Sequence, residues 1–162
     1  MEALVVFFCL AITLHNIEEA IWLPQWSKHG SKFQKAVTPN EFHFAVFVIT
    51  ALAYLSAFFF IFLPQSNFAK WFFIGFLGAM MINAIFPHLL ATLVMKKYAP
   101  GLVTALLLNI PINSLIIHRM FETHLIGWTE LVFSTILVGL SLLTLIPFLF
   151  KLGGMITLNS KT

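Results

Sequence analysis

Residues 42–63 read FHFAVFVITALAYLSAFFFIFL, 22 consecutive positions without a carboxylate, ammonium or guanidinium group and with one imidazole, His43. A helix that crosses the hydrocarbon core of a bilayer needs about 20 such residues. The run is too long for a barrel strand and lacks the period-2 alternation of a barrel wall. Working outward, four further apolar runs cover about 3–23, 71–95, 101–118 and 131–150. The chain therefore reads as an all-α integral membrane bundle of about five transmembrane helices, a single polytopic domain over 1–162.

Composition excludes the main rivals. The chain is 60% hydrophobic and 9% charged, against roughly 45–50% and about 25% for soluble domains. So few charges cannot cover a water-soluble enzyme. The net charge of +3 comes from lysines beside apolar runs, which is no nucleic-acid grip, so nucleic acid is excluded as a partner and membrane lipids are expected instead. One cysteine, Cys9, allows no intrachain disulfide. A cleavable leader is a poor reading of residues 1–23, because Glu2 replaces the positive start and His15, Glu18 and Glu19 fall where small residues should precede cleavage.

Loop charge sets an expected orientation. Lys28, Lys32, Lys35, Lys96, Lys97, Lys151 and Lys161 fall on one side, and only Lys70 and Arg119 on the other. Seven against two places the N-terminus outside and the C-terminus in the cytoplasm of a multi-pass protein of the cell membrane. Residues 64–70 and 96–101 read as tight turns, 151–162 as a polar tail, and His29 as part of a lysine-rich loop. Trp22, Trp26, Trp71 and Trp128 flank the runs as interface anchors.

The functional signal is polarity in the wrong solvent. His15, Glu18, Glu19 and Trp22 stand at offsets of three, four and seven, hence on one helix face. Carboxylates at such depth are costly unless paired, protonated or coordinated, and they mark candidate sites. His15 lies about nine residues, on the order of 13 Å, from the cytoplasmic end of its helix. His88 and Asn109 lie at a similar depth in the third and fourth runs, with Glu41 and His43 at the mouth of the second. Pro87 and Pro111 each remove a backbone donor beside these residues, and Asn83, Asn109 and Asn113 can answer the freed carbonyls.

The motif His15-Asn16-Ile17-Glu18-Glu19 spells H-x-x-E-E. It is followed by Asn83 and His88, then by Tyr98-x-Pro100-Gly101-x-x-Thr104 at the start of the next helix. In this order the elements resemble the HXXEE domain proteins, a family of small bacterial membrane proteins, over roughly residues 5 to 145. The resemblance implies a polytopic membrane protein and brings no settled activity with it.

Three functions compete for this polar layer. The first is an intramembrane enzyme acting on a lipid-like or apolar small molecule. His15, Glu18 and Glu19, with His88 or His43, offer three or four ligands to a divalent metal, zinc or iron. With or without metal, Glu18, Glu19, His15 and Asn109 are the candidate catalytic groups, one Glu serving as general acid or base. The pattern is neither H-E-x-x-H nor H-x-x-E-H, so it assigns no peptidase. The second is a proton or cation transporter, disfavoured because no polar trail continues outward and no inverted repeat is visible. The third is a structural or accessory protein locked by a His–Glu hydrogen-bond knot. Oligomeric state is not encoded in any of these features.

Overall fold

Thr38 and Glu41 determine where the longest charge-free run begins. The Thr38 hydroxyl accepts the Glu41 N–H at 3.3 Å, and the Glu41 carboxylate accepts the Thr38 N–H at 2.8 Å. This reciprocal cap starts the helix at Pro39, whose missing N–H costs nothing in a first turn. In the computed structural model, residues 1–28 and 36–159 are described. They form five helices long and apolar enough to cross a membrane: α1 Glu2–Trp26, α2 Pro39–Phe62, α3 Asn67–Met95, α4 Leu102–Glu122 and α5 Trp128–Ile156. No strand occurs among the described residues. His29, Lys32, Lys35 and Lys161 lie outside them.

Several helix ends depart from the expected ones, for local reasons. Ser66 caps α3 by accepting the Ala69 N–H at 3.2 Å, so Asn67 to Lys70 are helical rather than a turn. The Glu130 carboxylate accepts the Gly127 N–H at 2.8 Å and starts α5 at Trp128. The same helix continues to Asn159, so Lys151 sits within it and not in a polar tail. A lone lysine does not end a helix, because its long stem carries the ammonium away from the apolar face. α4 likewise runs through His118 and Arg119 to Glu122.

α3 is the central helix: 56% of its apolar window is buried, against 22–33% for the other four. Its small residues let α5 approach closely, as apolar helices in lipid require. A Cβ at Gly78 would collide with the Thr135 hydroxyl, and one at Gly75 would lie 2.5 Å from the Ser134 carbonyl. At the end where α1 begins, Phe73 of α3 meets Phe8 edge-on at 5.2 Å and stacks on Phe60 of α2 at 4.7 Å.

Toward the other end, α3 and α4 both lose α-helical regularity. α3 passes through a wide π-type turn over Ala84–Leu89, which contains Pro87, a cis Phe86–Pro87 peptide and a non-helical Phe86 (φ −126°, ψ 115°). α4 makes a similar turn over Ala105–Asn109, immediately before Pro111. Such turns add a residue to the helical repeat and rotate the remainder of the helix, and they recur at functional sites.

Candidate functional site

α1 carries His15 and Glu19 one turn apart, and the irregular turn of α3 carries His88 toward them. Glu19 Oε1 lies 3.1 Å from His88 Nε2 and 3.8 Å from His15 Nε2. The two imidazoles meet edge-to-face with centroids 5.1 Å apart. Both rings are sealed, at 1% and 3% exposure, while Glu19 keeps 14%. Ligand atoms of His15, His88 and Glu19, one from each, lie within 4.8 Å of one another, a spacing that could hold a metal ion. The Asn83 amide nitrogen completes the group, 3.0 Å from His88 Nε2 and 3.4 Å from His15 Nε2.

The far side of His15 fixes its tautomer. Nδ1 lies 3.1 Å from the Gly101 carbonyl and 3.1 Å from Thr104 Oγ1. A carbonyl oxygen only accepts, so Nδ1 carries the proton and Nε2 presents an electron pair to Glu19 and His88. Gly101 has φ +92°, which favours glycine, and its Cα faces the cluster itself. A Cβ there would lie 2.8 Å from His88 Cε1, 2.9 Å from His15 Cε1 and 3.0 Å from Glu19 Cγ.

Glu18 takes a different role from its neighbour. Its carboxylate accepts the Gly101 N–H at 2.9 Å, the Thr104 N–H at 3.2 Å and the Thr104 hydroxyl at 2.6 Å, together with the Tyr98 hydroxyl. It thereby caps the first turn of α4 with a negative charge, where unpaired N–H groups favour one. Burial and the bond to Glu18 push the Tyr98 phenol above its ordinary value, which keeps it a donor at neutral pH. Glu18 thus holds the loop whose carbonyl orients His15.

The remaining candidates make other contacts or none within the cluster's hydrogen bonds. His43 is exposed, and its Nε2 donates to the Ala20 carbonyl at 2.9 Å; it is not brought to the cluster. Glu41 is occupied with the α2 cap. Trp22 is 56% exposed and points away from the layer, because one helix face is wider than one site. Asn109 is fully buried with its amide nitrogen unpartnered, and Asn113 Nδ2 donates to the Leu77 carbonyl at 3.3 Å. Tyr98, Gly101 and Thr104 stand in the sequence motif, but nothing in their spacing alone assigns them to Glu18 and His15.

An apolar cavity of about 330 Å³ adjoins the cluster, with His15, Asn16, Glu19 and Asn83 at its polar end. Its other walls come from α2, α3 and α5, including Ile49, Met80 and Leu142. Ile82 and Phe86 of α3 and Ile136 and Leu140 of α5 line it and are each more than half exposed. The cavity therefore opens sideways between α3 and α5, onto an exposed apolar face.

A family described as "Protein of unknown function with HXXEE motif" matches residues 6–116. The chain belongs to the HXXEE family. The matched segment contains every residue of the cluster and its supporting loop, and ends before α5. The chain is also similar to the Uncharacterized protein YrkK of Bacillus subtilis (strain 168), 69% identical over 157 residues, covering 97% of this chain and 99% of that one. No solved structure matches significantly. Family membership together with five apolar spans makes this HXXEE protein a multi-pass membrane protein.

Proposed function

We propose that this HXXEE protein is an intramembrane enzyme that takes an apolar, lipid-like molecule from the bilayer and acts on it at the His15–Glu19–His88 cluster. The observation that carries this reading is the cavity: His15, Glu19 and Asn83 line its polar end, and exposed apolar residues of α3 and α5 form its mouth. A volume of about 330 Å³ lies in the range of small-molecule sites. A substrate entering sideways would bring its reacting atom against His15, Glu19 and Asn83 while its apolar body stays in contact with α2, α3 and α5. There the electron pairs of His15 and Glu19 act in a medium of low dielectric, where electrostatic effects on a reacting bond are largest.

A pore is less well supported. Beyond the polar layer the interior is filled largely by Phe8, Phe73, Phe76 and Leu77, all at 0–1% exposure, with Asn113, Ser56 and Ser134 as scattered buried polar groups among them. A purely structural knot explains Glu18, whose oxygens are well supplied with donors. It leaves the cavity beside Glu19 without a role.

Loop charge places this site in the cytoplasmic half of the membrane in our reading. The enzyme reading is tested by comparing total lipid extracts, by mass spectrometry, from cells overproducing the wild type and the Glu19→Gln variant at equal membrane levels. At least one apolar species should be depleted, with a new product, only in the wild type. Identical profiles across all extracted lipid classes would overturn it.

A further inference from the structure

We infer that the centre formed by His15, Glu19 and His88 is a binding site for one divalent transition-metal cation, zinc or ferrous iron, with Glu18 as the positioning residue behind it. This rests on reading the cluster as the reaction centre and adds the agent that works there.

The hydrogen-bond pattern poses the first problem that a cation solves. His15 Nδ1 is committed to the Gly101 carbonyl, so His15 Nε2 is an electron pair facing Glu19 Oε1 at 3.8 Å. A proton between His88 Nε2 and Glu19 Oε1, 3.1 Å apart, relieves one contact and leaves His15 Nε2, 3.8 Å from Glu19 Oε1, with a long 3.4 Å contact to the Asn83 amide nitrogen. A single cation among the three atoms satisfies all of them. Tetrahedral ligands on bonds of about 2.0–2.1 Å stand roughly 3.3 Å apart, and the observed 3.1 and 3.8 Å bracket that edge.

Charge gives the second argument. Glu18 and Glu19 are adjacent and partly buried, and among the described residues no lysine or arginine pairs with either. Two carboxylates with two neutral imidazoles sum to minus two. A divalent ion brings that sum to zero, which is the favoured state where dielectric screening is weak. Ligand chemistry then selects the ion. Two imidazoles and one carboxylate suit zinc or ferrous iron, whereas magnesium and calcium prefer all-oxygen shells.

The outer partners match what a metal-binding histidine requires. A ligating imidazole donates its other N–H to a carbonyl or carboxylate, which fixes ring and tautomer. Here the Gly101 carbonyl receives that bond, and Glu18 fixes Gly101 through its N–H at 2.9 Å. Three protein ligands leave at least one coordination position, and His15, Glu19 and Asn83 all line the cavity. That open position is the arrangement of a catalytic rather than a closed structural site.

The test uses full-length protein in detergent, made without a polyhistidine tag and stripped with a chelator. Cobalt(II) serves as the probe, since its visible spectrum reports coordination by nitrogen and oxygen. The wild type should bind one equivalent with the intense bands of a four- or five-coordinate ion and should melt at a higher temperature once loaded. His88→Gln and Glu19→Gln should weaken binding by about 100-fold or more, Glu18→Gln by about 10–100-fold, and His43→Gln not at all. Should a variant fail to fold, the wild-type spectrum and stoichiometry still decide. Absence of saturable binding in the wild type, or unchanged binding in folded His88→Gln protein, overturns the inference. A chain that alters cellular lipids yet binds no cation loses the metal and keeps the enzyme reading. A chain that binds the cation yet leaves lipids unchanged loses the enzyme reading and keeps the metal.

Discussion

The two ends of the bundle solve the same packing problem in opposite ways. Where α1 begins, the interior is built from Phe8, Phe60 and Phe73, rings in stacked and edge-on contact, on regular helices. Where α1 ends, the interior holds His15, Glu19 and His88, and both partner helices are interrupted, α3 at Ala84–Leu89 and α4 at Ala105–Asn109. Apolar side chains pack from regular helices because dispersion is non-directional. Convergent polar atoms need particular directions, and the irregular turns supply them. One end is packed with apolar rings, and the other gathers directed polar contacts.

The largest effect to look for is the all-or-none accessibility of the two ends. In a Cys9→Ser background, Lys97→Cys should resist an impermeant thiol reagent added outside intact cells, while Ser66→Cys and Glu122→Cys should label. The reverse pattern would move the polar end to the outer face and break the orientation on which its cytoplasmic placement depends.

Next in size, Phe73→Ala should destabilise the folded protein by about 3–5 kcal/mol, because Phe73 is fully buried between Phe8 and Phe60. Its loss should appear in thermal or denaturant unfolding, and lipid turnover per folded molecule should change little. A Phe73→Ala protein with wild-type stability would mean that the phenylalanine end is filler.

Gly101→Ala should show the converse. Left-handed backbone strain costs about 1–3 kcal/mol, and the added Cβ presses on His15, His88 and Glu19 together. Cobalt affinity and activity should therefore fall far more than the melting temperature does. Equal losses in both would assign Gly101 a merely structural role.

The smallest effect is expected at the Lys70–Glu130 ion pair, 2.7 Å apart with 18% and 30% side-chain exposure. It ties α3 to α5 near the apolar end and faces a polar boundary. Lys70→Met should cost less than about 1 kcal/mol in unfolding experiments. A cost several times larger would show that this end, too, depends on a directed polar contact.

The five spans were legible in the sequence because hydrocarbon imposes one requirement on every residue of a helix, and composition over about 20 residues reveals it. His15, Glu18, Glu19 and His88 stood out for the same reason: polarity at that depth is costly unless it is paired, protonated or coordinated. Periodicity could not separate Glu18 from Glu19. They are adjacent, share a face and have the same chemistry, yet Glu19 joins the histidines and Glu18 caps α4. That division is made by Gly101 and Thr104, which lie more than 80 residues away in the chain. Helix spacing likewise grouped Trp22 with the site, and depth grouped His43 with it. Neither criterion fixes the direction in which a side chain points, and His43 finds the Ala20 carbonyl instead. The sequence alone therefore determined the solvent, the helices and the layer at which the polar groups sit. Which atoms meet within that layer was decided by the tertiary structure, through the irregular turns of α3 and α4 and the loop that Glu18 holds against His15.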